Sequence, residues 1–168
     1  NASIGVRIGD PGTDQNVVAG NFIGTDVTGS NALSNGGNGV EIARGAQFNV
    51  IGTDGDGLFD ASERNVISGN DWIGVKIVDH QTSDNVVAGN LIGTDVSGAI
   101  ALANGGPGVG IRTGAQSNRV GTNGDGVADA AERNVISGNA HEGVWIQGDG
   151  ASYNVVAGNY IGTDASGS

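Results

Sequence analysis

The chain has 168 residues, with 18 acidic and 7 basic side chains for a net charge of −11, 33 glycines, 2 prolines and no cysteine. The charge opposes nucleic acid and anionic lipid, no apolar run reaches the roughly twenty residues needed to cross a bilayer, and a disulfide framework is excluded. So much glycine without the proline of collagen or of a stiff linker describes a chain that turns often.

The first β-like segment is GVRI, Gly5 to Ile8, followed by NVV at Asn16 to Val18 and NFI at Asn21 to Ile23. Gly, Asn and Asp bound each of them, as they bound strands elsewhere. The stretch DVTGSNALSNGG, Asp26 to Gly37, leads into GVEI at Gly39 and NVI at Asn49. The loop GTDGDGLFDASER then runs from Gly52 to Arg64 and ends at a second NVI, Asn65 to Ile67. From Gly74 the order restarts with GVKI, NVV at Asn85, NLI at Asn90, the stretch DVSGAIALANGG (Asp95 to Gly106), GVGI at Gly108 and NRV at Asn118. The loop GTNGDGVADAAER (Gly121 to Arg133), NVI at Asn134, GVWI at Gly143, NVV at Asn154 and NYI at Asn159 complete the chain.

The eleven residues NVVAGNxIGTD begin at Asn16, Asn85 and Asn154, a strict period of 69 residues. Within it the GVxI segments recur at alternate steps of 34 and 35 residues. The period is thus two coils, each of three short strands, with the long loop on alternate corners. Repetition of this kind is the signature of a stacked architecture. The expected fold is all-β, a parallel β-solenoid of about five coils of 34–35 residues, a single domain over residues 1–168. Asn1, Asn70 and Asn139 are equivalent at the same step, and the chain reads as a fragment of a longer repeat protein.

Alternation within each strand assigns the faces, because successive strand residues point to opposite sides. Val6, Val40, Val75, Val109 and Val144 form one inward column, and Ile8, Ile42, Ile77, Ile111 and Ile146 a second. The residues between them, Arg7, Glu41, Lys76, Gly110 and Trp145, are expected to be exposed. Val18, Ile51, Val87, Val120 and Val156 face inward from the second strands, and Ile23, Ile67, Ile92, Ile136 and Ile161 from the third. Two asparagine columns stand at the corners, Asn16, Asn49, Asn85, Asn118, Asn154 and Asn21, Asn65, Asn90, Asn134, Asn159. Their amides are expected to bond from coil to coil as ladders.

The combination of NVVAGNxIGTD, GVxI and ERNVISGN strongly resembles the right-handed parallel β-helix repeats of large secreted or surface-exposed bacterial proteins, related in fold to pectate lyases. The resemblance covers essentially the whole chain. It implies a right-handed helix and a secreted or cell-surface location. It does not select among lyases, epimerases, adhesins and inert stalks, all of which this fold hosts.

The strongest candidate site is the loop of the even coils. Laid on the calcium-loop pattern D-x-[DN]-x-[DN]-G-x5-E, the first copy supplies Asp54, Asp56, Asp60 and Glu63, with a carbonyl at Leu58. The second supplies Asn123, Asp125, Asp129 and Glu132, with a carbonyl at Val127. Ca²⁺ takes six to eight hard oxygen ligands, which alternate side chains around a glycine turn can offer. Gly52 and Gly121 occupy the first place, where the pattern has Asp. The alternative reading makes DGDG a plain turn and Asp60 with Glu63, like Asp129 with Glu132, a capping box at one turn of helix.

A catalytic centre is harder to place. Arg64 and Arg133 are equivalent by the repeat, His80 and His141 have no partners, and no unrepeated cluster of Asp, Lys, Arg or His shares a strand face. Trp72, Trp145, Tyr153 and Tyr160 read either as a sugar-stacking patch or as packing. The expected function is therefore a non-catalytic extracellular structural or adhesive module stabilised by Ca²⁺. Its expected partners are a polysaccharide or further copies of itself, end to end. The alternatives are part of a polysaccharide-active lyase or epimerase and a carbohydrate-binding module.

Overall fold

A computed structural model describes residues 1–168 as fifteen strands and two single-turn helices. Sheet one stacks β1 (Val6–Gly9), β4 (Val40–Ala43), β7 (Val75–Val78), β10 (Val109–Arg112) and β13 (Val144–Gln147) in that order. Sheet two stacks β2 (Val17–Val18), β5 (Val50–Gly52), β8 (Val86–Ala88), β11 (Arg119–Gly121) and β14 (Val155–Ala157). Sheet three stacks β3 (Phe22–Ile23), β6 (Val66–Ile67), β9 (Leu91–Ile92), β12 (Val135–Ile136) and β15 (Tyr160–Ile161). Every pairing between named strands is parallel, and each strand of the three middle rungs bonds to the coil before and the coil after. This is a parallel β-solenoid of three sheets. Five rungs enclose about four turns, one fewer than the coil count read from the repeats.

The register places like on like. Val40 pairs with Val75, Ile42 with Ile77, Ile51 with Val87 and Ile67 with Ile92. These residues, with Val109, Ile111, Val120 and Ile136, are fully buried in one continuous core. At the fifth rung Ile146, Val156 and Ile161 are exposed.

Two features of the outward face depart from the alternation. Glu41 was expected to be exposed, yet only 7% of it is accessible. Arg7 lies 3.6 Å from its carboxylate on one side and Lys76 3.1 Å on the other, while the Asn38 amide donates to it at 3.0 Å. The stacking that aligns these side chains at about 4.8 Å intervals also covers the middle one. Secondly, the outward residues of sheet three, Val66, Leu91 and Val135, are buried as a satellite cluster, with Tyr160 packed against it.

Asparagine fills the corners in three ladders. Nδ2 of each residue donates to Oδ1 of the next at 2.9 to 3.1 Å from Asn16 through Asn49, Asn85 and Asn118 to Asn154. A second runs from Asn21 through Asn65, Asn90 and Asn134 to Asn159. The third, which the sequence reading did not assemble, runs from Asn1 through Asn35, Asn70 and Asn104 to Asn139. Most interior members also donate to a backbone carbonyl of a neighbouring coil, as Asn90 does to Ile51 at 2.8 Å. Buried amides are tolerated because their bonding capacity is used.

Candidate functional site

The even-coil loops leave sheet two after β5 and β11 and return to sheet three through α1 (Asp60–Glu63) and α2 (Asp129–Glu132). Their first place cannot carry a side chain. A Cβ on Gly52 or Gly121 would collide with the carbonyl oxygen of Ala88 or Ala157 in the next coil, and both glycines have positive φ. An aspartate there, as in the calcium-loop pattern, is sterically barred, so these loops do not close as that pattern does. The helical turns form as expected, but without a capping box. Phe59 and Ala128, both left-handed, occupy the N-cap, and no side chain bonds there. Asp60 and Asp129 lie inside the turn instead, each accepting from a threonine, Thr53 or Thr122, at 2.5 Å.

Asp56 and Asp125 are turn residues. Each accepts the N–H two residues on, from Leu58 or Val127, at 2.7 Å. Leu58 and Val127 themselves are exposed. In the first loop the remaining carboxylates converge, and one oxygen each from Asp54, Asp60 and Glu63 lie within 4.8 Å of one another. No basic side chain pairs with any of the three.

The second loop is built differently at equivalent positions. Asn123 replaces Asp54, and Arg119 on β11 replaces Val50 on β5. Arg119 places Nη1 3.1 Å from Oε1 of Glu132, whose Oε2 accepts the Asn123 N–H at 2.8 Å. Glu132 is fully buried, and its carboxylate lies against Gly55 of the first loop. Thus Glu132 has a built-in cation where Glu63 has none. The Arg119–Glu132 pair was not legible in the sequence, because arginine and glutamate stand 13 residues apart on different elements.

The odd-coil loops are organised by the aspartate of IGTD. Asp26 accepts from the Asn31 amide at 2.9 Å, the Thr28 hydroxyl at 2.7 Å and the backbone of Thr28 at 3.1 Å. These bonds, that from Asn31 foremost, hold its carboxyl far below the usual range. At Asp95 burial pulls the other way, but bonds from Ser97, Ile100 and Ala99 prevail and the pKa is lowered. Asp164 is lowered chiefly by the Ser166 hydroxyl.

The aromatic residues divide. Tyr160 packs under the Arg133 guanidinium, 4.4 Å from its ring centroid, and Tyr153 is 85% exposed. Trp72 and Trp145 instead share one cleft with Asp71, Arg112, His141 and Glu142. This is an unrepeated charged cluster of the kind not found along any single strand. It escapes a strand-by-strand reading because three coils contribute to it.

No protein-family model, curated protein or solved structure matches the chain.

Proposed function

We propose that the chain is a non-catalytic structural or adhesive module of a secreted or cell-surface protein, a right-handed β-helix rod stabilised by Ca²⁺ at its first acidic loop. The observation that supports the rod is the repeating interior, in which the central rungs of all three sheets and three amide ladders follow one another in register. A stack of this kind is stiff along its axis, since each coil is bonded to the next at every corner. The right hand is supported by the sequence resemblance and by the strong bias of parallel crossovers. The same resemblance supports the extracellular location, and coils or copies of the same pattern are the natural neighbours at either end.

Three carboxylates without a counter-charge repel one another, so a divalent cation at Asp54, Asp60 and Glu63 would relieve that repulsion. Only the first loop fits this role, because Arg119 already satisfies Glu132 in the second. With few protein ligands, affinity belongs to the roughly 10⁻⁴–10⁻³ M range of extracellular modules. Melting in millimolar Ca²⁺ against EGTA, alongside small-angle scattering, tests both parts. A melting temperature indifferent to Ca²⁺ removes the metal, and scattering from a flexible coil removes the rod.

A further inference from the structure

The outward column of sheet one changes character along the stack. Arg7, Glu41 and Lys76 fill the first part with an ion-paired row. The next residue in that column is Gly110, which the sequence pattern places outward but which is buried against Ile73, and the one after is Trp145. Over these last coils lies a cleft of about 470 Å³ between the turns that enter β7, β10 and β13. That volume lies within the range of small-molecule sites.

Its walls hold both tryptophans of the chain. Trp72 is 65% exposed, and the Arg112 guanidinium lies 4.2 Å from the ring centroid of Trp145. Asp71, His141 and Glu142 complete the polar lining. None of this is demanded by the repeat. One period away, Asp71, Arg112, Glu142 and Trp145 are matched by Ala140, Ala43, Ile73 and Lys76. The backbone beneath is fixed by the stack, since Gly106 donates to the Trp72 carbonyl and Gly108 to that of Glu142, each at 2.9 Å. A site so held loses little freedom when it binds.

Indole faces offer flat apolar area, and the carboxylates, imidazole and guanidinium offer both acceptors and donors. That pairing suits a pyranose ring, with its C–H face and its rim of hydroxyls. Two carboxylates against one guanidinium, in a chain of net charge −11, disfavour an anionic sugar. We infer that this cleft binds a neutral oligosaccharide, with Trp72 and Trp145 stacking on sugar rings and Asp71, His141 and Glu142 bonding hydroxyls. The inference is independent of the calcium loop and of the chain's role as a rod.

The test titrates the intact chain with cellohexaose, xylohexaose, mannohexaose and maltohexaose, and separately with hexagalacturonate and tetramethylammonium, following tryptophan emission and heat. At least one neutral hexasaccharide is expected to bind and to shift the emission. Trp72→Ala is expected to weaken that binding about tenfold or more. Trp72→Phe restores part of it, and Tyr153→Ala, outside the cleft, leaves it unchanged. Because Trp72 is largely exposed, its variants keep the parent melting curve, which separates lost binding from lost folding. The inference is overturned if no neutral sugar binds, if hexagalacturonate binds more tightly than all four, if tetramethylammonium alone shifts the emission, or if binding survives Trp72→Ala.

Discussion

Arg119 and Glu132 meet at 3.1 Å beneath the first acidic loop, and no equivalent of this pair exists one period earlier, where Val50 and Glu63 stand. Glu132 is fully buried, so its charge depends on that guanidinium and on the Asn123 N–H. Arg119→Val leaves a buried carboxylate unpaired and is expected to destabilise the fold by about 3–5 kcal/mol. Adding Glu132→Gln to it should recover much of the loss. Denaturant unfolding of both variants checks this, and an unaltered midpoint for Arg119→Val would show the pair to be incidental.

The proposed calcium response should be transferable between the loops. Asp60→Asn in the first loop is expected to abolish the rise of melting temperature with Ca²⁺, because it removes one of three converging carboxylates. Asp56→Asn should leave the response intact, since Asp56 serves the turn through Leu58. Conversely, Arg119→Val with Asn123→Asp gives the second loop the first loop's acidic set and removes its counter-charge. That double variant should gain a second, calcium-dependent increment in melting temperature.

The amide ladders should be most sensitive at their middle. Asn90 is fully buried and donates to Asn134 at 3.0 Å, Ile51 at 2.8 Å and Ala88 at 3.0 Å. Asn90→Ala strands several polar groups inside, at about 1–3 kcal/mol each. Asn16→Ala, at the exposed end of another ladder, should change stability by well under half as much. Equal effects at the two positions would mean that the ladder contributes little beyond its local turn.

Acid should loosen the odd-coil loops late. An unfolded aspartate titrates near 3.9, whereas Asp26, Asp95 and Asp164 are all lowered in the fold. A depressed folded pKa contributes stability above the unfolded value, and that contribution is lost as pH falls from about 4 through the folded value. Melting temperature should therefore hold to about pH 4 and decline below it. Asp26→Asn with Asp95→Asn should lower the plateau and flatten the decline, measured by calorimetry across that range.

The inward columns were legible because a two-residue alternation restated five times leaves one consistent assignment of faces. Ile92 and Val75 lie where that pattern puts them, and the Arg7, Glu41, Lys76 register is as read. The third ladder left a signal too, an asparagine four residues before each GVxI, which the 69-residue step alone divides into two sets. The burial of Glu41 and the Arg119–Glu132 pair carried no such signal. Both depend on which side chains neighbouring coils bring alongside, a relation across the stack that no local spacing encodes. The aromatic cleft is similar, since Trp72 and Trp145 lie 73 positions apart and line one cleft only because the coils between them are in register.

Every rung of the three amide ladders donates in the same sense, from the earlier coil to the later. The two faces of the stack are therefore chemically unlike. Asn1, Asn16 and Asn21 enter the ladders only as Nδ2 donors at one face, while at the other Asn139, Asn154 and Asn159 enter them only as Oδ1 acceptors, their Nδ2 groups bonding to backbone carbonyls. A further rung added in register must keep that sense of donation, and parallel strands likewise extend in one direction only. Any coil that continues this rod must run the same way. A twofold end-to-end dimer is disfavoured, and growth by addition of like units has a direction and no point of closure.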